Sequence, residues 1–167
     1  MIWTRSEETI MKKTLQEQGF DNLDQTILEE LQVNGRISVA DLARKIHLSQ
    51  PAVHNRIKRL ERSGIIQAYV ALIDREKIGY DVTCFVDLHV QQDQMNAIRE
   101  ALLDMPEVLE CYRMSGNSDM FLKIVVENHR QLNDFIENRL SKLNGVERVQ
   151  TNIVLSELKT ITQVSLE

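Results

Sequence analysis

The sequence predicts an α+β chain: an N-terminal three-helix helix-turn-helix domain, a hinge strand, and a C-terminal ferredoxin-like βαββαβ domain. Three observations carry that prediction. Helical apolar spacing dominates residues 21–64, and period-2 alternation dominates the strands that follow. Turn residues fall at the joints between those segments. The charge is segregated: Arg36 to Arg62 holds seven bases and two acids, a net +5. From Ile65 onward there are ten bases and sixteen acids, a net −6. A basic module followed by an acidic one is the mark of two domains. The boundaries expected are an extension over 1–20, a helix-turn-helix domain over 21–65, a hinge and linker over 66–79, and a ferredoxin-like domain over 80–167.

In the first module, Asp21 is placed to cap a helix, because its carboxylate can accept the free amides of the first turn. Leu23, Ile27, Leu28 and Leu31 make its apolar stripe, and Asn34-Gly35 ends it. Ser38 caps a second helix with Asp41 in a capping-box-like position, and Val39, Leu42, Ala43 and Ile46 face inward. His47-Leu48 is a short connection. Ser49 caps a third helix, Pro51 sits in its first turn, and Gly64 stops it.

The third helix carries the functional information. Val53, Ile57 and Leu60 form its inner seam, and Gln50, His54 and Lys58 recur at four-residue spacing outside, flanked by Asn55, Arg56, Arg59 and Arg62. Such a face suits the major groove: Gln and Asn can pair with adenine, Arg and Lys with guanine, and further bases meet phosphates. The short link between the second and third helices is helix-turn-helix spacing. The residues expected at DNA are Ser38, Ser49, Gln50, Pro51, His54, Asn55, Arg56, Lys58 and Arg59.

In the second module, residues 66–73 are apolar on both faces and read as a strand. From Val82 to Gln91, Val82, Cys84, Val86, Leu88 and Val90 alternate with Thr83, Phe85, Asp87, His89 and Gln91. A helix follows over about 93–104. Strands follow at 108–115 and 120–127, joined by Gly116-Asn117-Ser118-Asp119. A second helix carries Leu132, Phe135, Ile136, Leu140 and Leu143, and a last strand runs over about 146–157. Helices cover one face of such a sheet. The other, carrying Phe85, points to dimerisation.

Catalytic signals are sparse. The four histidines are scattered, and Cys84 and Cys111 lack CxxC spacing. No GxGxxG or P-loop is present. No catalytic residue, no metal site and no cofactor is expected, and the chain reads as not an enzyme. Apolar runs are too short to cross a bilayer, the first residues lack a secretory signal, and two unpaired cysteines fit a reducing cytoplasm. In residues 1–20, Trp3, Ile10, Met11 and Leu15 with Lys12 and Lys13 could form a short amphipathic helix; a loose tail is the simpler expectation.

The run from Asp21 to Val82, with Arg56-Ile57, Leu60-Glu61, Gly64-Ile65-Ile66 and Gly79-Tyr80, resembles the Lrp/AsnC feast/famine transcription regulators. PEVLECYRMSGNSDMFLKIVV and LNGVERVQTNIVLSELK extend the resemblance to about residues 20–160. It implies a DNA-binding regulator modulated by an amino acid, working on double-stranded DNA as a homodimer, often as an octamer of four dimers, with no membrane partner. The hinge strand would pair with its equivalent in the partner. The effector pocket would be built from the Ser-Gly-x-x-Asp loop (Ser115, Gly116, Asn117, Ser118 and Asp119, with Met114 before it) and from Thr151, Asn152 and Ile153 of a neighbour. Many relatives carry an acid after the loop glycine; Asn117 stands there, which favours a small neutral amino acid. The loop spacing alone also fits a plain hairpin in which Asp119 caps its own backbone. An architectural DNA-binding protein without effector, and a regulatory module of amino-acid metabolism, are the alternatives.

Overall fold

The computed structural model describes residues 19–160 and 163–166, in two compact units: residues up to Leu72 together with Thr160 and the described residues that follow it, and Ile73–Lys159. The amphipathic segment expected before residue 19 lies outside the described residues. The expected second domain ran to residue 167. The chain instead returns its last described residues to the helical unit.

The helical unit contains α1 (Asn22–Val33), α2 (Val39–Lys45) and α3 (Gln50–Arg62). The three caps fall where the sequence places them. Asp21 accepts from the Asp24 amide, Ser38 from that of Asp41, and Ser49 from that of Ala52. The Asp21 cap is reciprocal, since the Asp24 carboxylate accepts from the Asp21 amide at 3.0 Å. Ile27, Leu42, Val53 and Leu60 close the core with no exposed surface. The turn between α2 and α3 passes through His47 at φ 54, a left-handed position occupied by a non-glycine residue. The last described residues lie on α1: Gln32 holds Val164 through both its amide oxygen (2.7 Å) and its amide nitrogen (3.0 Å), and Gln25 donates to the Leu166 carbonyl at 2.7 Å.

Residues 66–73 form no strand and no ladder in the single chain, and Val70, Leu72 and Ile73 lie exposed. A strand needs a second strand for its amides, and the described residues supply none here.

The second unit has β1 (Val82–Val90), α4 (Met95–Leu103), β2 (Val108–Arg113), β3 (Met120–Val126), α5 (His129–Asp134) and β4 (Val146–Ile153). The sheet order is β2-β3-β1-β4, all antiparallel, which is the ferredoxin-like arrangement. β1 alternates buried and half-buried residues throughout, as its sequence period demands. Its inner side packs with Ile98, Leu102, Leu132, Phe135 and Leu140. The expected second helix continues past α5 as a π turn over Phe135–Arg139 and a 3-10 turn over Leu140–Lys142. All four strands end earlier than expected, β1 at Val90, β2 at Arg113, β3 at Val126 and β4 at Ile153.

Candidate DNA-reading helix and effector loop

α3 is built to present one face. Val53 and Leu60 are fully buried, while Gln50, Pro51, His54, Asn55 and Lys58 are exposed on the remaining surface. Ser49 and Ser38 are exposed, with their side chains occupied as helix caps.

The basic segment is less free than its charge suggests. Arg44 pairs with Asp41, and Lys45 reaches Glu30 at 2.5 Å. Arg56 and Arg59 were expected at phosphates or bases, and the structure turns both toward α1. The Arg56 guanidinium meets Asp21 at 2.8 Å and Asp24 at 2.9 Å, and that of Arg59 meets Asp24 and lies 5.4 Å from the centre of the Phe20 ring. The physical reason is Asp24. Its side chain is 0% exposed, and a carboxylate removed from water requires charged partners. The hydrogen bond to Asp24 holds the Arg56 guanidinium further above its ordinary value. Burial pushes Asp21 upward, but the Asp24 amide and the Arg56 guanidinium outweigh it and hold Asp21 below the usual carboxylate value. Arg36, Lys58 and Arg62 make no ion pair among the described residues.

At the β2–β3 hairpin, Met114, Ser115, Gly116 and Asn117 are exposed, and the Met114 amide donates to the Asp119 carbonyl at 2.9 Å. Gly116 takes no left-handed φ: among the described glycines the positive φ values fall at Gly19, Gly64, Gly79 and Gly145, and Gly116 has open space around it. The Asp119 carboxylate is engaged within the chain. It accepts from the Val90 amide at 3.0 Å and from the Gln92 side chain at 3.2 Å, fastening the hairpin to the end of β1. A carboxylate has about four acceptor positions, so capacity remains.

Sequence reasoning missed Asp87 as a partner of this loop. Its carboxylate accepts from Ser118 at 3.0 Å and from Asn152 at 3.3 Å, so it joins two members of the expected effector set. The β1 alternation places Asp87 on the outer face, beside the Phe85–Phe121 stack (5.3 Å between ring centres). Thr151 and Ile153 pair with Val86 and Cys84, on the alternate side of β4 from Asn152, and are not brought to the loop of their own chain.

Comparisons with known proteins decide the lineage. The Lrp/AsnC ligand binding domain matches residues 83–164, and the AsnC-type helix-turn-helix domain matches 20–61. The chain belongs to the Lrp/AsnC family of transcriptional regulators. It is 34% identical to the leucine-responsive regulatory protein of Rhizobium meliloti, over 87% of this chain and 96% of that one. It is 31% identical to the HTH-type transcriptional regulator FL11 of Pyrococcus furiosus, over 88% and 97%. A transcriptional regulator from Neisseria meningitidis solved as an L-Met complex superposes with TM-score 0.85 at 29% identity, covering 88% of this chain and 97% of that one. This Lrp/AsnC protein is thus a DNA-binding transcriptional regulator, and its α1–α3 are the helix-turn-helix.

Among the described residues, no helix is long and apolar enough to cross a membrane, and no group of three or more His, Cys, Asp and Glu is placed to hold a metal ion. Burial pushes the Cys84 and Cys111 thiols up, away from reactivity.

Proposed function

We propose that this regulator reads double-stranded DNA in the cytoplasm with α3, as a homodimer or an octamer of four dimers, and that a small neutral amino acid modulates it. The observation that carries the reading is the division of α3. Val53 and Leu60 of its apolar seam are fully buried and Ile57 is half-buried, while Gln50, His54, Asn55 and Lys58 stand exposed, as do the caps Ser38 and Ser49 and the first-turn Pro51. Gln50 and His54 read base edges, and Lys58 meets phosphate.

The effector reading rests on the hairpin. Backbone amides of Ser115–Ser118 face the carboxylate of the amino acid, and Asp119 accepts its α-ammonium with the positions left beside Val90 and Gln92. Thr151, Asn152 and Ile153 of a neighbouring subunit complete the pocket, and Met114 flanks it. Asn117 brings no charge, which suits a neutral side chain. The Neisseria relative was solved with L-Met, a neutral amino acid. The outer sheet face with Phe85 and Phe121 and the exposed hinge over 66–73 supply the dimer contacts.

Calorimetry with neutral amino acids tests the effector. Heat with one of them, abolished in a folded Asp119→Ala variant, is the expected result. No heat for any neutral amino acid leaves the architectural reading, which the engagement of Asp119 within its own chain favours.

A further inference from the structure

We propose that Arg56 and Arg59 are positioning residues: through Asp24 they set the angle of the reading helix, and they are not its phosphate ligands. The proposal rests on the DNA-reading role of α3 given above.

The argument begins with burial. Asp24 is 0% exposed, so it cannot itself approach DNA. It lies in the first turn of α1, where its carboxylate also closes the cap by accepting from the Asp21 amide at 3.0 Å. Its two oxygens take different partners: Oδ1 meets Arg56 at 2.9 Å, and Oδ2 meets Arg59. The two arginines stand one turn apart on α3. A single carboxylate on α1 therefore grips α3 at two heights, which fixes tilt as well as distance. Arg56 is only 24% exposed, and the same nitrogen that meets Asp24, Nη1, also meets Asp21 at 2.8 Å. One donor thus ties both carboxylates of the α1 cap to α3. Arg59, about half exposed, is held on its other side by the Phe20 ring at 5.4 Å. Swinging either arginine to a phosphate would strip charge from a carboxylate that has no access to water.

The two roles differ in the sign of one effect. If the arginines served phosphates, Asp24→Asn would free them, tighten binding to all DNA and steepen its salt dependence. If they position α3, the same change loosens the helix and lowers selectivity. The experiment uses the full chain and duplexes enriched by the wild type from a random library, with affinity read by fluorescence anisotropy across a salt series, on variants shown folded by circular dichroism. Arg56→Met, Arg59→Met and Asp24→Asn are each expected to lose about tenfold or more in preference for the enriched duplex over random duplex, the size of a lost base contact. The slope of log affinity against log salt is expected to stay at the wild-type value. Lys58→Met, the phosphate control, is expected to flatten that slope by about 0.9.

A slope flattened in Arg56→Met or Arg59→Met, or tighter binding by Asp24→Asn, would each overturn the proposal. Should Asp24→Asn not fold, the two arginine slopes still decide. A wild type that enriches no sequence would overturn the DNA reading itself, and the proposal with it.

Discussion

Gly145 is where one added carbon should cost the effector domain most. It has φ +90 and ends the turn that feeds β4. A Cβ there would lie 2.4 Å from Cβ and 2.6 Å from Cγ of Gln94. Gln94 is the residue that leads into α4, and its backbone is bonded on both sides: its amide donates to Gln91 at 3.0 Å, and its carbonyl accepts from Ile98 at 2.9 Å. The clash therefore falls on a pinned atom, and relief demands that α4 and the turn part by about 1 Å. Gly79 is the internal control, since it has φ +88 and nothing within 4 Å of an added Cβ. Gly79→Ala should lose the left-handed penalty alone, about 1–2 kcal/mol. Gly145→Ala adds overpacking of about 1–3 kcal/mol. A difference near 2 kcal/mol separates the melting temperatures of the two variants by about 8–16 °C. Removing the obstructing atoms with Gln94→Gly should recover most of the difference in a double-mutant cycle, because Gly is tolerated at a helix start. Thermal and urea melts followed by circular dichroism measure all five proteins: wild type, the three single variants and the double variant. Equal losses in Gly145→Ala and Gly79→Ala, or no recovery with Gln94→Gly, would refute the steric argument.

Three further outcomes follow from the helical unit. Because Asp21 titrates lower folded than unfolded, its ionised form adds stability at neutral pH that is lost as pH falls below about 4. Asp21→Asn, which still caps the helix, should therefore be less stable than wild type at pH 7 and converge with it near pH 2 in melts across pH. Gln32→Ala removes both bonds to Val164 at no helix-propensity cost, so the Val164 amide should exchange with deuterium about 2–10-fold faster. His47 at φ 54 should gain about 0.5–1 kcal/mol as His47→Gly and lose about 1–2 kcal/mol as His47→Val, read from melting temperatures.

Local rules made the regular elements legible. The period-3.6 seam of α3 and the period-2 seam of β1 are properties of neighbouring residues, and both seams are buried as those periods require. The last helix before β4 was less legible. Its apolar spacing fits an α-helix, but the chain widens to a π turn at Phe135–Arg139, where Phe135 is buried and Arg139 pairs with Glu107. The pair with Glu107, just before β2, joins residues 32 apart, which no local period encodes. The hinge over 66–73 forms no strand in the single chain for the converse reason: its two-faced apolarity is a true local signal, but a ladder needs a second strand.

The charge of the helix-turn-helix shows the same limit more sharply. Seven bases between Arg36 and Arg62 look like an electrostatic footprint for DNA. Four of them are paired inside the chain: Arg44, Lys45, Arg56 and Arg59. Two of those four answer to one buried acid more than thirty residues away, and the only local trace of that acid is the Asp21-x-x-Asp24 spacing of a capping box. Among the described residues, the bases of this segment without an ion pair are Arg36, Lys58 and Arg62, at the entrance to α2, on the outer face of α3 and at its end. Counterion release scales with the phosphates neutralised, so pairing within the chain lowers the share of this charge that is available to DNA.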